Sequence, residues 1–430
     1  MTTLPGYMWL DMSRLRPLAS WTSYLPSRCP LGRIIDVAVL AFVGFSTVSI
    51  TAAQGAMLLA LSAWLVNLIW APDRRRLPLP LMLPMAGFFL ASVLATLTAV
   101  DPYRSLLELR NFFLPAFFFL LVNHLADEKH AISLTKVVIV VGGAMAVYGL
   151  SQSFTQGEAF RIRGTMSIWM TFAGIMMLLA TVTLAHLLFT PDRRSSYWLL
   201  LPLLLLTAAL VMTHTRGAWL GFAVGAAFIL ACRKRLFLLL LPILLVVTFV
   251  VAPQAVRDRL RSIVDPADVT ARERLYMWSS GLRMIRDYPW TGVGLKGVKG
   301  VYPAYRDPRA TGARWGHLHN NLIQVAVERG LLGLTCWLWI WVVFYRDAWR
   351  TYRALRDDEG YAKGLVVGGL AAVSAFHVEG LFEYTFGDSE VIALVYFLMA
   401  LSYLARRVGP DGHGKADIER GNGQRTGYEP

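Results

Sequence analysis

Apolar residues along this chain come in runs of roughly 17 to 25, the length at which an α-helix crosses the hydrocarbon core of a bilayer. The runs predict helices near 34–53, 54–70, 79–100, 106–125, 132–152, 165–189, 196–213, 217–232, 236–253, 329–345, 363–384 and 389–405, about twelve spans in all. One stretch breaks the pattern. Between the ninth and tenth runs, residues 254–328 are polar and carry Arg272, Arg274, Arg283, Arg286, Lys296, Lys299 and the tripeptide His319-Asn320-Asn321. Composition agrees with the periodicity: of 430 residues 56% are hydrophobic and only 16% charged, which excludes a soluble domain of ordinary size. The expected fold class is an all-α polytopic membrane protein with one large loop between helices 9 and 10.

Basic residues separate the loops into two sets. Arg74-Arg75-Arg76, Arg193-Arg194, Arg233-Lys234-Arg235, the segment Arg346 to Lys363, and the termini with Arg28, Arg33, Arg406 and Arg407 fall on one side, which the positive-inside rule assigns to the cytoplasm. Part of the net charge of +14 is this bias. The long polar segment then lies outside, where long loops cross regardless of charge. The expected organisation is a cytoplasmic N-terminus over 1–33, helices 1–9 over 34–253, a periplasmic loop over 254–328, helices 10–12 over 329–405, and a cytoplasmic tail over 406–430 whose polar, Gly-rich composition predicts disorder. The first apolar run shows no small-residue cleavage pattern and reads as an uncleaved start-transfer helix. Cys29 and Cys232 fall on the cytoplasmic side and Cys336 within a span, so no extracytoplasmic disulfide is expected.

Candidate chemistry gathers on the outer side. Arg161 and Arg163 precede the sixth span, and Arg216 sits in His214-Thr215-Arg216-Gly217-Ala218-Trp219-Leu220 within a nearly continuous apolar run. An unpaired guanidinium there costs a few kcal/mol, so Arg216 either snorkels to the interface or holds an anion such as a phosphate. His319-Asn320 is followed after nine residues by Gly330, then Gly333. Asn320 or Asn321 is suited to cap a helix from Leu322 to Arg329, leaving His319 near free N–H groups that bind anions and keep an imidazole neutral. Gly330 and Gly333 allow the chain to turn and pack closely as it returns to the membrane.

Other clusters carry two readings each. Asp265 and Asp268 sit among arginines and read as salt-bridge partners rather than metal ligands. His377, Glu379 and Glu383 are ionisable residues in the eleventh span, with Glu379 and Glu383 on one helix face; a structural ion pair is favoured over acceptor contact or a second base. Arg104, Glu108 and Arg110 border the fourth span and could meet an acceptor's phosphates or pair with one another. Gly292, Gly294, Gly297 and Gly300 follow no strand, so they form no nucleotide loop. Trp169, Trp219, Trp278, Trp290 and Trp315 fit an interfacial belt, with some available to stack on sugars.

The chain resembles the O-antigen ligases, within the wider group of ligases and polymerases that move bacterial surface glycans on polyprenyl pyrophosphate carriers. The resemblance rests on about twelve spans, one large outer loop, Arg216-Gly-Ala-Trp-Leu220, Arg274-Leu-Tyr-Met-Trp278 leading into Asp287-Tyr-Pro-Trp-Thr-Gly-Val-Gly294, and His319-Asn320-x9-Gly330-x2-Gly333. It implies a GT-C-type, metal-independent, inverting glycosyltransferase of the inner membrane with a periplasmic active site and no cofactor. The donor would be an undecaprenyl pyrophosphate-linked glycan and the acceptor lipid A core. Arg216 and Arg274 would hold the pyrophosphate, supported by Arg161 and Arg163. His319 would act as general base or orient the acceptor. An O-antigen polymerase with the same donor is the near alternative. A secondary transporter or flippase is more remote, because the polar chemistry lies on one face rather than at the midplane and no internal repeat is visible.

Overall fold

The computed structural model describes residues 8–11, 30–70, 76–125, 128–157, 159–191, 194–263, 265, 267–312, 315–355 and 360–408. Expectations on Arg28, Cys29, Arg74, Arg75, Arg193 and the tail from residue 409 lie outside the described residues. The described chain is helical: α1 (Pro30–Phe45), α2 (Ile50–Trp70), α3 (Met82–Leu97), α4 (Pro102–Glu108), α5 (Phe113–His124), α6 (Glu128–Gln156), α7 (Trp169–Phe189), α8 (Leu200–Met212), α9 (Arg216–Arg233), α10 (Leu240–Val251), α11 (Gln254–Arg261), α12 (Val269–Asp287), α13 (Val298–Tyr305), α14 (Asn321–Ala354), α15 (Tyr361–Glu379) and α16 (Ser389–Val408). A short antiparallel ribbon, β1 (Met8–Asp11) with β2 (Arg76–Leu79), is an addition to the all-helical expectation.

Among the described residues seven helical stretches are long and apolar enough to cross a membrane, which makes this an all-α polytopic membrane protein in its main body. Shorter apolar helices include Met82–Leu97, Ser196–Met212 and Ser389–Ala405. The eleventh run ends earlier than its hydropathy suggested. Helix α15 stops at Glu379 and Gly380 caps it, so Glu383 belongs to the following loop, not to a span.

Helices α7 and α15 form the middle of the bundle. Of their apolar windows 83% and 78% is buried, against 33% for α2 and α9, whose outer faces remain bare. Helix α7 is apolar on every side, the composition of a helix surrounded by other helices. Close approach is set by small residues: a side chain at Gly225 would press on Thr181 of α7 and the Ala371 carbonyl of α15. Such four-residue spacing of glycines, with Gly221 one turn earlier, lets helices pack where lipid gives no hydrophobic drive.

The polar segment builds its own small core. Met277 and Met284 of α12, Val298 and Tyr302 of α13, and Val293, Leu318 and Val327 pack together. Asp268 caps α12 by accepting from the Ala271 N–H at 2.8 Å. Several loop charges serve this local fold: Arg309 pairs with Asp307 at 3.0 Å, and Arg283 donates to Ser279 and to the Tyr305 carbonyl.

Helix α14 is interrupted one third of the way along. Gly330 takes φ 64° and ψ −174°, a backbone state open to glycine and strained for other residues. In an unbroken helix the N–H of Leu331 and Leu332 would reach the carbonyls of Val327 and Glu328. Here they reach Pro289 (2.7 Å) and Trp290 (3.4 Å), while those two carbonyls accept from Val293 (2.8 Å) and Gly294 (3.1 Å). The segment Pro289–Gly294 therefore replaces the missing helical partners. A Cβ at Gly330 would run into the Trp290 carbonyl. Two glycine-bearing sequence motifs are thus halves of one joint.

Candidate active site

The joint positions the start of α14. Asn320 caps it, accepting from the Ile323 N–H at 2.9 Å, and its amide donates to the Leu381 carbonyl at 2.9 Å. Asn321 accepts from the Phe386 N–H at 3.0 Å, and its own N–H reaches the Gly380 carbonyl at 2.7 Å. Both asparagines therefore fasten the loop after α15 to the start of α14. His319 sits just before the cap with φ 48°, and its Nδ1 lies 2.7 Å from Glu383 Oε1.

The Glu383 carboxylate is the hub. Its Oε1 also accepts from the Tyr384 N–H at 3.1 Å, and Arg274 approaches Oε2 at 3.5 Å. Burial pushes the carboxyl up, but the His319 hydrogen bond and the adjoining His319, Arg274 and His317 side chains outweigh it and hold Glu383 below the usual range. An ionised carboxylate only accepts, so Nδ1 is the donor in this contact and Nε2 is the ring nitrogen left to accept. Glu383 is a partner of His319 that its place beside a helix cap did not disclose. His317 stacks edge-on to His319 at 4.2 Å; burial, then His319, lowers its pKa to about 4.

Arginines adjoin this pair. Arg216, the first residue of α9, donates to Asp268 at 2.8 Å and to the Ser262 carbonyl and hydroxyl at 2.8 and 2.9 Å. Asp268 is thus an ion-pair partner, in keeping with the salt-bridge reading of that acid. Arg259 comes within 3.9 Å of the same carboxylate, and burial, then Arg216 and Arg161, lower its pKa to about 10. Burial lowers Arg161, with Arg216 and Arg274 adding repulsion. Burial also lowers Arg274, with Glu383 raising it and Arg216 lowering it. Four guanidiniums, Arg161, Arg216, Arg259 and Arg274, therefore feel one another at partly dry positions, with Asp268 and Glu383 as the acids against them. Such a cluster favours a multiply charged anion. His214, buried at φ 53° between α8 and α9, adjoins it; burial, then Arg161 and Arg259, lower its pKa.

Of the residues singled out from sequence, Arg161, Arg216, Arg274 and His319 come together. Arg163 does not join them; its guanidinium turns to the Ser167 carbonyl at 3.3 Å. Asn320 and Gly330 act through backbone geometry, and Gly333 lets the Arg329 side chain lie against α14. Sequence reasoning gave no role to Arg259 or His317, and it favoured a structural ion pair for Glu379 and Glu383. Glu383 does pair with Arg274, but it also holds His319. Glu379 stays fully buried, with neither carboxylate oxygen hydrogen-bonded. A signal for Glu383 existed in its being an acid beside a span end, but its partner lies 64 residues away.

His317, His319 and Glu383 also bring ligand atoms within 4.8 Å of one another, a set a divalent ion could use. The donor types suit a metal, but the charge around them does not: Arg274 already faces the carboxylate, and more guanidiniums stand behind it. A cation would have to displace that positive charge.

Residues 201–338 match the profile of a family described as O-Antigen ligase. That stretch contains Arg216, Arg274, His319, Gly330 and Gly333. Over 263 residues, 57% of this chain and 62% of the relative, the chain is 23% identical to a Rickettsia conorii protein named "Putative polysaccharide ligase". A protein of the same name from Rickettsia felis is 22% identical over 57% of this chain and 63% of its own. The "Exopolysaccharide production protein ExoQ" of Rhizobium meliloti is 32% identical over 147 residues, 33% of each chain. The chain thus spans less than two thirds of the length of each of these relatives. Over these stretches the chain is similar to O-antigen ligase-like proteins.

Proposed function

We propose that the protein is an O-antigen ligase that transfers a glycan from undecaprenyl pyrophosphate to a sugar of lipid A core on the periplasmic side of the inner membrane, by metal-independent inverting displacement. The observation that carries this reading is the meeting of Arg161, Arg216, Arg259 and Arg274 with the His319–Glu383 pair. In one step His319 Nε2 takes the proton of the acceptor hydroxyl, and the oxygen bonds to the anomeric carbon from the face opposite the carrier. The bond from that carbon to the diphosphate oxygen breaks, and the electron pair stays on the diphosphate, which the arginines stabilise. Glu383 holds His319 by Nδ1 and balances the charge that develops on the ring. The likeness to an exopolysaccharide production protein supports a second reading, a polymerase with the same donor and a second carrier-linked glycan as acceptor.

Purified protein is incubated with the carrier-linked donor and either lipid A core or a second carrier-linked glycan, and product size is followed for wild type and His319→Ala. Product on lipid A core, lost in the variant, supports the ligase. Longer carrier-linked glycan supports the polymerase, and neither product overturns both. Turnover is expected to persist in EDTA; its abolition would show that His317, His319 and Glu383 hold a metal.

A further inference from the structure

A cavity of about 600 Å³ opens beside the site, walled by α2, the turn between α4 and α5, α14 and α16. Its size is that of a small-molecule pocket. Part of its lining is apolar and aromatic, with Leu58, Phe113, Ile392 and Tyr396, while Glu108, Arg110 and Lys296 supply charge. Tyr384 forms part of the wall and follows Glu383 directly, and the His317 ring stands 6.0 Å from it. The His319–Glu383 pair therefore touches the arginine cluster through Arg274 and the cavity through Tyr384.

The acids of the cavity are already engaged. Glu328 accepts from Arg329 (2.8 Å), Gln324 (2.8 Å) and the Lys296 N–H (3.1 Å). Glu108 accepts from Asn111 at 3.0 Å. Arg110 and the Lys296 ammonium, which lies 5.8 Å above the Tyr384 ring, form no ion pair among the described residues. Aromatic walls suit the C–H faces of sugar rings, and the two free cations suit a carboxylate or phosphate.

We propose that this cavity binds the acceptor glycan by an anionic sugar whose carboxylate or phosphate lies between Arg110 and Lys296. This rests on the transfer reading above and adds the charge class of the acceptor and the residues that select it. The arginine cluster keeps the donor and the cavity takes the acceptor, with the base between them.

The test uses the full-length protein in nanodiscs made without anionic lipid. Binding of a uronate-bearing disaccharide, a phosphorylated disaccharide and a neutral disaccharide is measured by titration calorimetry on wild type, Arg110→Ala, Lys296→Ala and Leu58→Trp, the last narrowing the cavity from α2. Transfer kinetics on the same proteins give the KM of donor and acceptor separately. The charged disaccharides are expected to bind wild type, the better ligand naming carboxylate or phosphate, and to lose about tenfold in affinity in each charge variant. The acceptor KM is expected to rise by a like factor while the donor KM holds.

Equal binding of charged and neutral disaccharides would overturn the proposal, as would a rise in donor KM instead of acceptor KM. It would also fall if anionic phospholipid added to the nanodiscs displaced the disaccharides, since the cavity would then be a lipid-headgroup site. Charge-selective binding without any transfer by wild type would sink the transfer reading and leave the cavity standing. Transfer with binding insensitive to Arg110 and Lys296 would do the reverse.

Discussion

At the level of single residues, the contact between His319 and Glu383 carries the proposed chemistry. Glu383→Gln keeps the shape but removes the charge that supports the ring, and kcat is expected to fall by about 100-fold with donor KM little changed; steady-state kinetics with a fixed acceptor decide it, and an unaltered kcat would reduce Glu383 to an ion-pair role with Arg274. Asp388 offers a separate readout. Burial, then Glu390 and Glu383, push its pKa up to about 7, although the Thr171 hydroxyl donates to it at 2.9 Å. A carboxyl with a raised folded pKa favours folding in its protonated form, so stability declines as pH rises from near 4 toward 7 and then levels. Asp388→Asn is expected to flatten that decline, measured as Tm between pH 4 and 8; a slope equal to wild type would place the titration elsewhere. Arg216 drew notice because charge in apolar surroundings demands a partner, and His319 because it precedes a helix cap. Glu383 was not legible, since hydropathy counted it within a span, and no local pattern tells which of three acids near a helix end meets a histidine that precedes another helix.

At the level of elements, the interruption of α14 explains why Asp287–Gly294 and Gly330 are both needed. Gly330→Ala introduces a Cβ against the Trp290 carbonyl at positive φ, and a loss of about 1–3 kcal/mol is expected, seen as a lower Tm and earlier proteolysis of the outer segment. Unchanged stability would mean that the helix can straighten and dispense with Pro289–Gly294. The sequence pointed to a cap at Asn320 or Asn321, of which Asn320 is the cap, and to a turn at the glycines. It did not reveal that the two glycine motifs exchange hydrogen bonds, because backbone pairing between distant segments leaves no periodic trace. Helix limits were readable where composition changes sharply, as at α7, and poorly so where polar residues continue a helix, as in α14, which runs on to Ala354 well past its apolar stretch.

At the level of the whole molecule, orientation is the first matter to measure. In a chain with Cys29, Cys232 and Cys336 replaced, Lys299→Cys is expected to react with an impermeant maleimide from outside the inner membrane, and Arg350→Cys only after lysis. The opposite pattern would invert the topology and move the arginine cluster to the cytoplasm. The membrane character and the one polar segment were plain from hydropathy, whereas the central place of α7 and α15 was not, because a run apolar on all sides looks alike whether lipid or protein surrounds it. The joint at Gly330 also bears on biogenesis. A helix ordinarily completes its own backbone bonds as it enters a bilayer, but α14 takes the segment Pro289–Gly294 as a template. That segment precedes α14 in the chain and so is synthesised first. The order of synthesis therefore makes the template before the helix that depends on it.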